Sequence, residues 1–230
     1  MKALRYFYSA LLFISALLVA SCTEDISVNV HQDSIYAEYR LVYEEAEDIS
    51  YARATFRFED ASGTVLELSE PAEVTTDGTP LVWKSAAGWY ETQSAGIDSA
   101  ATLIYTDLDN NSFENDLLMA SSIGFPSDLD SISKSATYTL EWDGAPLATN
   151  ESVIVTINGI NEGDMKVFIQ NAAAANEIVL DKDKLEGIET GEATIFMERY
   201  TVQNLLQGTT KGGTVWSQYI TTPAKVQITD

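Results

Sequence analysis

With one cysteine and one histidine in 230 residues, the chain gives up several kinds of chemistry before any pattern is read. A single cysteine forbids an internal disulfide and any cysteine-built metal site, because both need at least two. The sole histidine, His31, cannot form a metal cluster by itself. It is also the only histidine base for a serine nucleophile, and no Gly-x-Ser-x-Gly elbow is present. Basic residues are scarce as well. Lys and Arg number 13 against 35 Asp and Glu, a formal charge of −22. Nucleic-acid binding depends on basic residues displacing counterions from phosphates, so this charge excludes it. Five prolines and 13 glycines rule out collagen-like and linker-like chains. What remains, with 45% hydrophobic residues, is a globular composition.

The longest uncharged apolar stretch, Tyr6 to Ala20, has 15 residues and follows the basic pair Lys2 and Arg5. That is too short for a spanning helix, which needs about 20 residues, and it has the order of parts of a secretory signal. It ends in Val19, Ala20, Ser21, Cys22. These four residues resemble the lipobox of bacterial lipoproteins: a branched apolar residue, two small ones that fit the peptidase, and the cysteine whose thiol takes the lipid. The resemblance implies cleavage between Ser21 and Cys22, acylation of Cys22, and a membrane partner reached through that anchor. Two or three acyl chains, palmitate among them, hold a protein far better than one, each buried methylene contributing about 0.8 kcal/mol. Thr23 in place of aspartate implies the outer membrane, on its periplasmic face or at the cell surface. Glu24 and Asp25 resemble the acidic export signal of surface lipoproteins in Bacteroidota-like organisms. The mature chain would have 11 basic and 35 acidic residues, a charge of −24.

Beyond the signal the sequence alternates with period 2. Ile35, Ala37, Tyr39, Leu41 and Tyr43 face one way and Glu38, Arg40 and Glu44 the other. Ala52, Ala54, Phe56 and Phe58 alternate with Arg53, Thr55, Arg57 and Glu59. Successive strand side chains point to opposite faces, so both segments predict half-buried antiparallel strands. Further strands are expected at 64–68, 80–84, 88–92, 100–106 and 112–119. Asp60 to Gly63, Asp77-Gly78 and Asp109 to Asn111 supply the turns. Residues 22–32 read as a lipidated tether, 33–120 as a first sandwich, and the Ser- and Asp-rich 121–135 as a connector.

A second set begins with Tyr138, Leu140 and Trp142 and continues at 152–157, 165–170, 177–180, 192–199, 214–220 and 224–229, within a second sandwich spanning 136–230. Ala172 to Ala175 favour one or two helical turns. Leu185, Ile188, Gly191, Ala193, Ile195 and Met197 resemble the crossing between sheets that leads into a late strand of immunoglobulin-like domains. The chain lacks that family's corner tyrosine and its cysteine pair. The expected fold is all-β, two tandem antiparallel β-sandwiches of immunoglobulin-like type, each of roughly 90–100 residues and large enough to fold without disulfides.

Asp107, Asp109 and Asn111 alternate as calcium ligands do in compact oxygen-lined loops. The sixth position is Ser112 rather than glycine and the twelfth is Leu118 rather than glutamate, so a polar hairpin turn is the alternative account. Calcium is the one cofactor the sequence suggests. Trp83, Trp89 and Tyr90 lie close enough to form an aromatic platform for sugar rings, or else to fill the core, as Trp142 and Trp216 are expected to do. Gly208, Lys211, Gly212 and Gly213 lack the order of a phosphate loop and predict a hairpin into the next strand.

The sequence therefore predicts no catalytic residues. It predicts a lipid-anchored envelope protein that binds, adheres or supports, with an unnamed protein or glycan as partner. A carbohydrate-binding accessory protein and a carboxylate-dependent extracytoplasmic hydrolase are the alternatives. The hydrolase would need a deep acidic cleft.

Overall fold

The structure, a computed structural model, describes residues 25–161 and 163–230. The signal segment, Ser21 and Cys22 lie outside the described residues. Among the described residues no helix is long and apolar enough to cross a membrane.

The alternation at Ile35–Glu44 and Ile49–Phe58 produces two ten-residue strands paired antiparallel, from Ile35 opposite Phe58 to Glu44 opposite Ile49. Their odd-numbered and even-numbered faces, respectively, lie against a second sheet of Glu73–Thr76, Thr79–Pro80, Ala100–Thr106 and Ser112–Leu118. Tyr39, Leu41, Phe56, Leu103, Tyr105 and Leu117 are all but fully buried between the two sheets. The leucine and phenylalanine side chains among them each contribute about 1.5–3 kcal/mol by leaving water.

The second half repeats the arrangement with different strands. Glu151–Asn158, Lys166–Gln170, Gly191–Gln203 and Ala224–Thr229 form one layer. Two short ladders cover it, Tyr138–Glu141 with Glu177–Leu180 and Ile123–Gly124 with Asp143–Gly144. The core between them includes Leu140, Trp142, Val155, Phe168, Leu180, Ile195 and Met197. The chain is all-β, built of two sandwich-like halves whose strands pair mostly antiparallel.

Unlike beads on a linker, the halves share a sheet. Gly213–Ile220 pairs antiparallel with Gly191–Gln203 on one side and parallel with Ile35–Glu44 on the other, from Gly213 opposite Ala37 to Ile220 opposite Glu44. The two strands at this junction serve both cores. Val215 is buried in the first, while Tyr43 and Tyr219 are buried in the second with ring centroids 5.2 Å apart.

Glycine makes the junction possible. A Cβ on Gly213 would lie 2.1 Å from the Ala37 carbonyl oxygen, and Gly212 just before it has φ +74°. The glycine-rich loop is thus a docking turn. Thr209 Oγ1 donates to the Ile35 carbonyl at 2.6 Å, and buried Asn115 of the first half accepts from Leu206 N at 2.9 Å and donates to the Gln207 carbonyl at 2.9 Å. Gln203 adds a two-way pair with the Leu118 backbone, 2.8 Å in each direction.

Three local expectations are corrected. The connector at 121–135 is part of the second half: Ile123, Leu129 and Ile132 are buried, and Ser131–Ser133 pairs with Ala224–Thr229. Its serines satisfy edges and turns while three well-spaced apolar residues anchor it. The tether is already folded at Asp25–Ile26, which pairs with Val65–Glu67. Ala172–Ala175 is a turn, and the described α-helix is the four-residue Lys182–Leu185, whose N-cap Asp181 accepts from Asp183 N.

Candidate functional site: an arginine and tryptophan face on the shared sheet

The outer face of the shared sheet carries three of the chain's five arginines, Arg40, Arg53 and Arg57, on strands of an otherwise strongly acidic protein. Strand register puts Glu91, Arg53, Arg40 and Trp216 in one row across four strands, the last of them belonging to the second half's layer. Trp89 lies beside this row. The Arg40 guanidinium carbon is 4.7 Å from the Trp89 ring centroid and 5.6 Å from that of Trp216. The Arg53 carbon is 4.4 Å from Tyr51 and 5.1 Å from Trp89. A guanidinium over an aromatic face is held by the ring quadrupole and dispersion together.

Polar contacts fix the row in place. Arg53 Nε donates to the Glu91 carboxylate at 2.7 Å, and Trp89 Nε1 donates to the same oxygen at 3.2 Å. Arg40 Nη2 donates to Thr55 Oγ1 at 3.2 Å, and its Nε lies 3.3 Å from the Glu38 carboxylate. Burial pulls the Arg40 pKa below its ordinary value, and Glu38 opposes that shift. Burial and the Glu47 hydrogen bond push the Tyr51 hydroxyl up to about 12. On the second half Tyr200 continues the strip, its ring 5.5 Å from Trp216 and its hydroxyl donating to Glu198 at 2.9 Å. Val42 and Gln218, on the same strands, are buried. The result is a stiff aromatic and cationic pavement crossing both halves.

The expected aromatic trio does not assemble. Tyr90 is buried in the first core, its hydroxyl accepting from Leu68 N at 2.6 Å, and Trp83 packs on it with centroids 4.8 Å apart. Trp89 alone points to the outer face, because neighbours in a strand alternate. Its ring is already engaged by two guanidiniums. Trp142 is core as expected, 5% exposed, whereas Trp216 stands half-buried on the outer face. Period 2 in the Gly213–Ile220 strand already separates Trp216 from Val215 and Tyr219, and that was the available signal.

In the candidate calcium loop, Asp107 is buried and both its carboxylate oxygens accept from Asn111, at 2.8 Å from the backbone N–H and 2.9 Å from the side-chain amide. Asn110 has φ +67°. These contacts make a side-chain-closed hairpin turn, with Asp109 exposed. Among the described residues no group of three or more His, Cys, Asp or Glu is placed to hold a metal ion. His31 accepts from Asp33 N at 3.3 Å, capping a short 3-10 turn.

A cleft of about 300 Å³ opens at the side of the first sandwich, where Ala52, Ala100 and Ala101 leave room between the sheets. Thr76, Asp77, Thr79, Thr92, Gln93, Ser94 and Asp98 complete its wall, and Ser94 Oγ donates to Asp98.

No family model matches the chain, and no curated protein matches it. Among solved structures, the chain is similar to the chicken CNTN1 FN1-FN3 domains at 13% identity and a TM-score of 0.29, covering 84% of this chain and 65% of that one. It is similar to a 1.5-MDa bacterial ice-binding adhesin, studied for its retention at the host cell surface, at 11% identity and a TM-score of 0.25, covering 86% of this chain and 66% of that one. The chain thus spans just under two thirds of either structure's length.

Proposed function

We propose that this chain is a non-enzymatic, lipid-anchored protein of the bacterial outer membrane that serves as a binding, adhesion or structural module. The observation that carries the reading is the parallel ladder between Ile35–Glu44 and Gly213–Ile220. A linker would let two sandwiches move independently. Eight paired positions and a docked loop instead join them into one stiff body with a continuous outer face, suited to holding a contact surface away from a membrane. The lipobox residues supply the attachment, and Cys22 is the acylated residue.

The test is expression of the full chain in a bacterium fed labelled palmitate, beside Cys22→Ser. The wild type takes up label and sediments with outer membranes; label on the serine variant overturns the anchor. Protease added to intact cells then separates a surface orientation, in which the chain is cut, from a periplasmic one. Adhesion of the expressing cells to immobilised glycans and matrix proteins, compared with cells expressing Arg53→Glu, reads the outer face directly. Equal adhesion by both would remove that face from the function.

A carbohydrate-binding role is the second reading. What favours it is the cleft of about 300 Å³ with its mix of alanine floor and hydroxyl, amide and carboxylate walls, since a sugar offers both an apolar face and a rim of hydroxyls. This volume is at the small end for ligand sites. A glycan array with wild type and Ala101→Trp, which fills the cleft, tests it. Signal unchanged by the filling substitution places the sugar elsewhere.

A further inference from the structure

Strand pairing is already in place close to the proposed anchor. Asp25 is three residues after Cys22, and Asp25–Ile26 already pairs parallel with Val65–Glu67. The next residues are pinned as well. Ser27 is fully buried and its Oγ accepts from Ser69 N at 2.8 Å; Val28 N donates to Ser69 Oγ at 3.3 Å. Gln32 Nε2 donates to the Ser27 carbonyl at 3.0 Å while its Oε1 accepts from Leu108 N at 3.2 Å, stitching the segment to the second sheet of the first half. Three residues of extended chain reach only about 10 Å.

On either side of buried Ser27, Ile26 is 43% and Val28 58% exposed. Solvent-facing apolar residues gain nothing from water, and these two stand where a lipid surface must be if Cys22 carries acyl chains.

Resting on the lipid-anchor reading, we propose that the edge formed by Ile26 and Val28 is seated on the bilayer, so that the first half stands directly on the membrane and the second half projects from it. Register sets the direction. From Asp25, level with Ala37 through Leu66 and Phe56, the shared sheet climbs two residues to the level of Tyr39 and Val215, opposite Gln203, and twelve more along that last strand to Gly191. At roughly 3.3 Å per residue this is a rise on the order of 50 Å. Asp25 and Glu67 share the short ladder with Ile26, so the contact draws nothing from anionic headgroups.

Acylation consumes the chain's only thiol, so an introduced cysteine can be labelled alone. The full chain is produced in a bacterium, its acylation verified with labelled palmitate, and Val28→Cys and the distal, exposed Glu189→Cys each carry an environment-sensitive fluorophore. Both are reconstituted into phosphatidylcholine vesicles bearing nitroxide headgroups. The expected result is a several-fold greater quenching and a blue-shifted emission at position 28 relative to 189. Equal quenching of both positions in a palmitate-labelled protein overturns the seating while leaving the anchor intact. Oxidative cross-linking of 28 to 28 between two copies, without quenching, assigns the edge to a second copy and likewise overturns it. Absence of palmitate label defeats the anchor reading and the seating with it.

Discussion

Arg40 of the first half and Trp216 of the second face each other across the junction ladder, with the guanidinium carbon 5.6 Å from the indole centroid. The same guanidinium reaches Trp89 at 4.7 Å, so one arginine ties three strands of the shared sheet on the side away from the cores. Most of the Arg40 side chain is covered, which removes water that would otherwise compete for the charge. A double-mutant cycle of Arg40→Met and Trp216→Leu is expected to give a coupling of about 0.5–2 kcal/mol in urea unfolding. Simple additivity would mean the stacked pair has no energetic content. Arg40→Lys should recover little of it, since an ammonium does not stack as a planar guanidinium does.

Two adjacent glycines should respond differently to the same substitution. Gly212 has φ +74° and open space around its Cβ position, so Gly212→Ala is expected to cost about 1–2 kcal/mol for the left-handed backbone alone. At Gly213 the new methyl would meet the Ala37 carbonyl, which cannot move without opening the parallel ladder. Gly213→Ala is therefore expected to lose more and to split one calorimetric transition into two as the halves uncouple. A single transition with an equal drop in Tm for both variants would show that the ladder does not couple them.

The Arg199–Glu151 pair should make stability fall in acid. Arg199 is 1% exposed and donates to Glu151 and to the carbonyls of Ala145 at 2.8 Å and Pro146 at 3.1 Å. Burial pushes the Glu151 carboxyl up, but Arg199, the Ala148 N–H and Thr201 together hold it below its usual value. A carboxylate lowered in the folded state stabilises it fully above the unfolded pKa, about 4.3. That contribution shrinks as pH falls below this value and is gone beneath the lower folded pKa. Tm measured from pH 7 to pH 3 should drop over this range, and Glu151→Gln should flatten the drop. Arg199→Met, which strands a buried carboxylate, should cost about 3–5 kcal/mol at pH 7.

The same tyrosine-to-phenylalanine change is expected to have opposite effects at two sites. Tyr219 donates to Glu45 at 2.8 Å, and Glu45 also accepts from Thr222 N, so Tyr219→Phe should lose about 1.5–3 kcal/mol, the range for a hydrogen bond to a charged group. Tyr39 is fully buried and its hydroxyl has no protein partner among the described residues. Tyr39→Phe removes an uncompensated polar atom and should leave stability unchanged or raise it. Paired denaturant titrations check both.

Long strands were legible because alternation over many residues leaves one reading. Ile35–Glu44, Ile49–Phe58 and Ala100–Thr106 fall where period 2 puts them. Glu73–Thr76 and Ser131–Ser133 were not, since three or four residues hold too few alternations to show a period. Trp89 shows how far the candidate site could be read. Its aromatic surface was visible, but its two guanidinium neighbours come from strands up to 49 positions away, and only pairing register brings Arg40 and Arg53 to it.

By itself the sequence determined the all-β class and, with a single cysteine, excluded an internal disulfide. These follow from residue counts and from side chains a few positions apart. Only the tertiary structure decided that the halves share a sheet, that Tyr90 is core with Trp83 packed on it while Trp89 and Trp216 flank an arginine, and that Asp25 is already paired in a ladder. The reason lies in strand pairing. Register between distant segments depends on which faces must be buried together and on where backbones can approach, as Gly213 approaches Ala37, and neither is written in local periodicity.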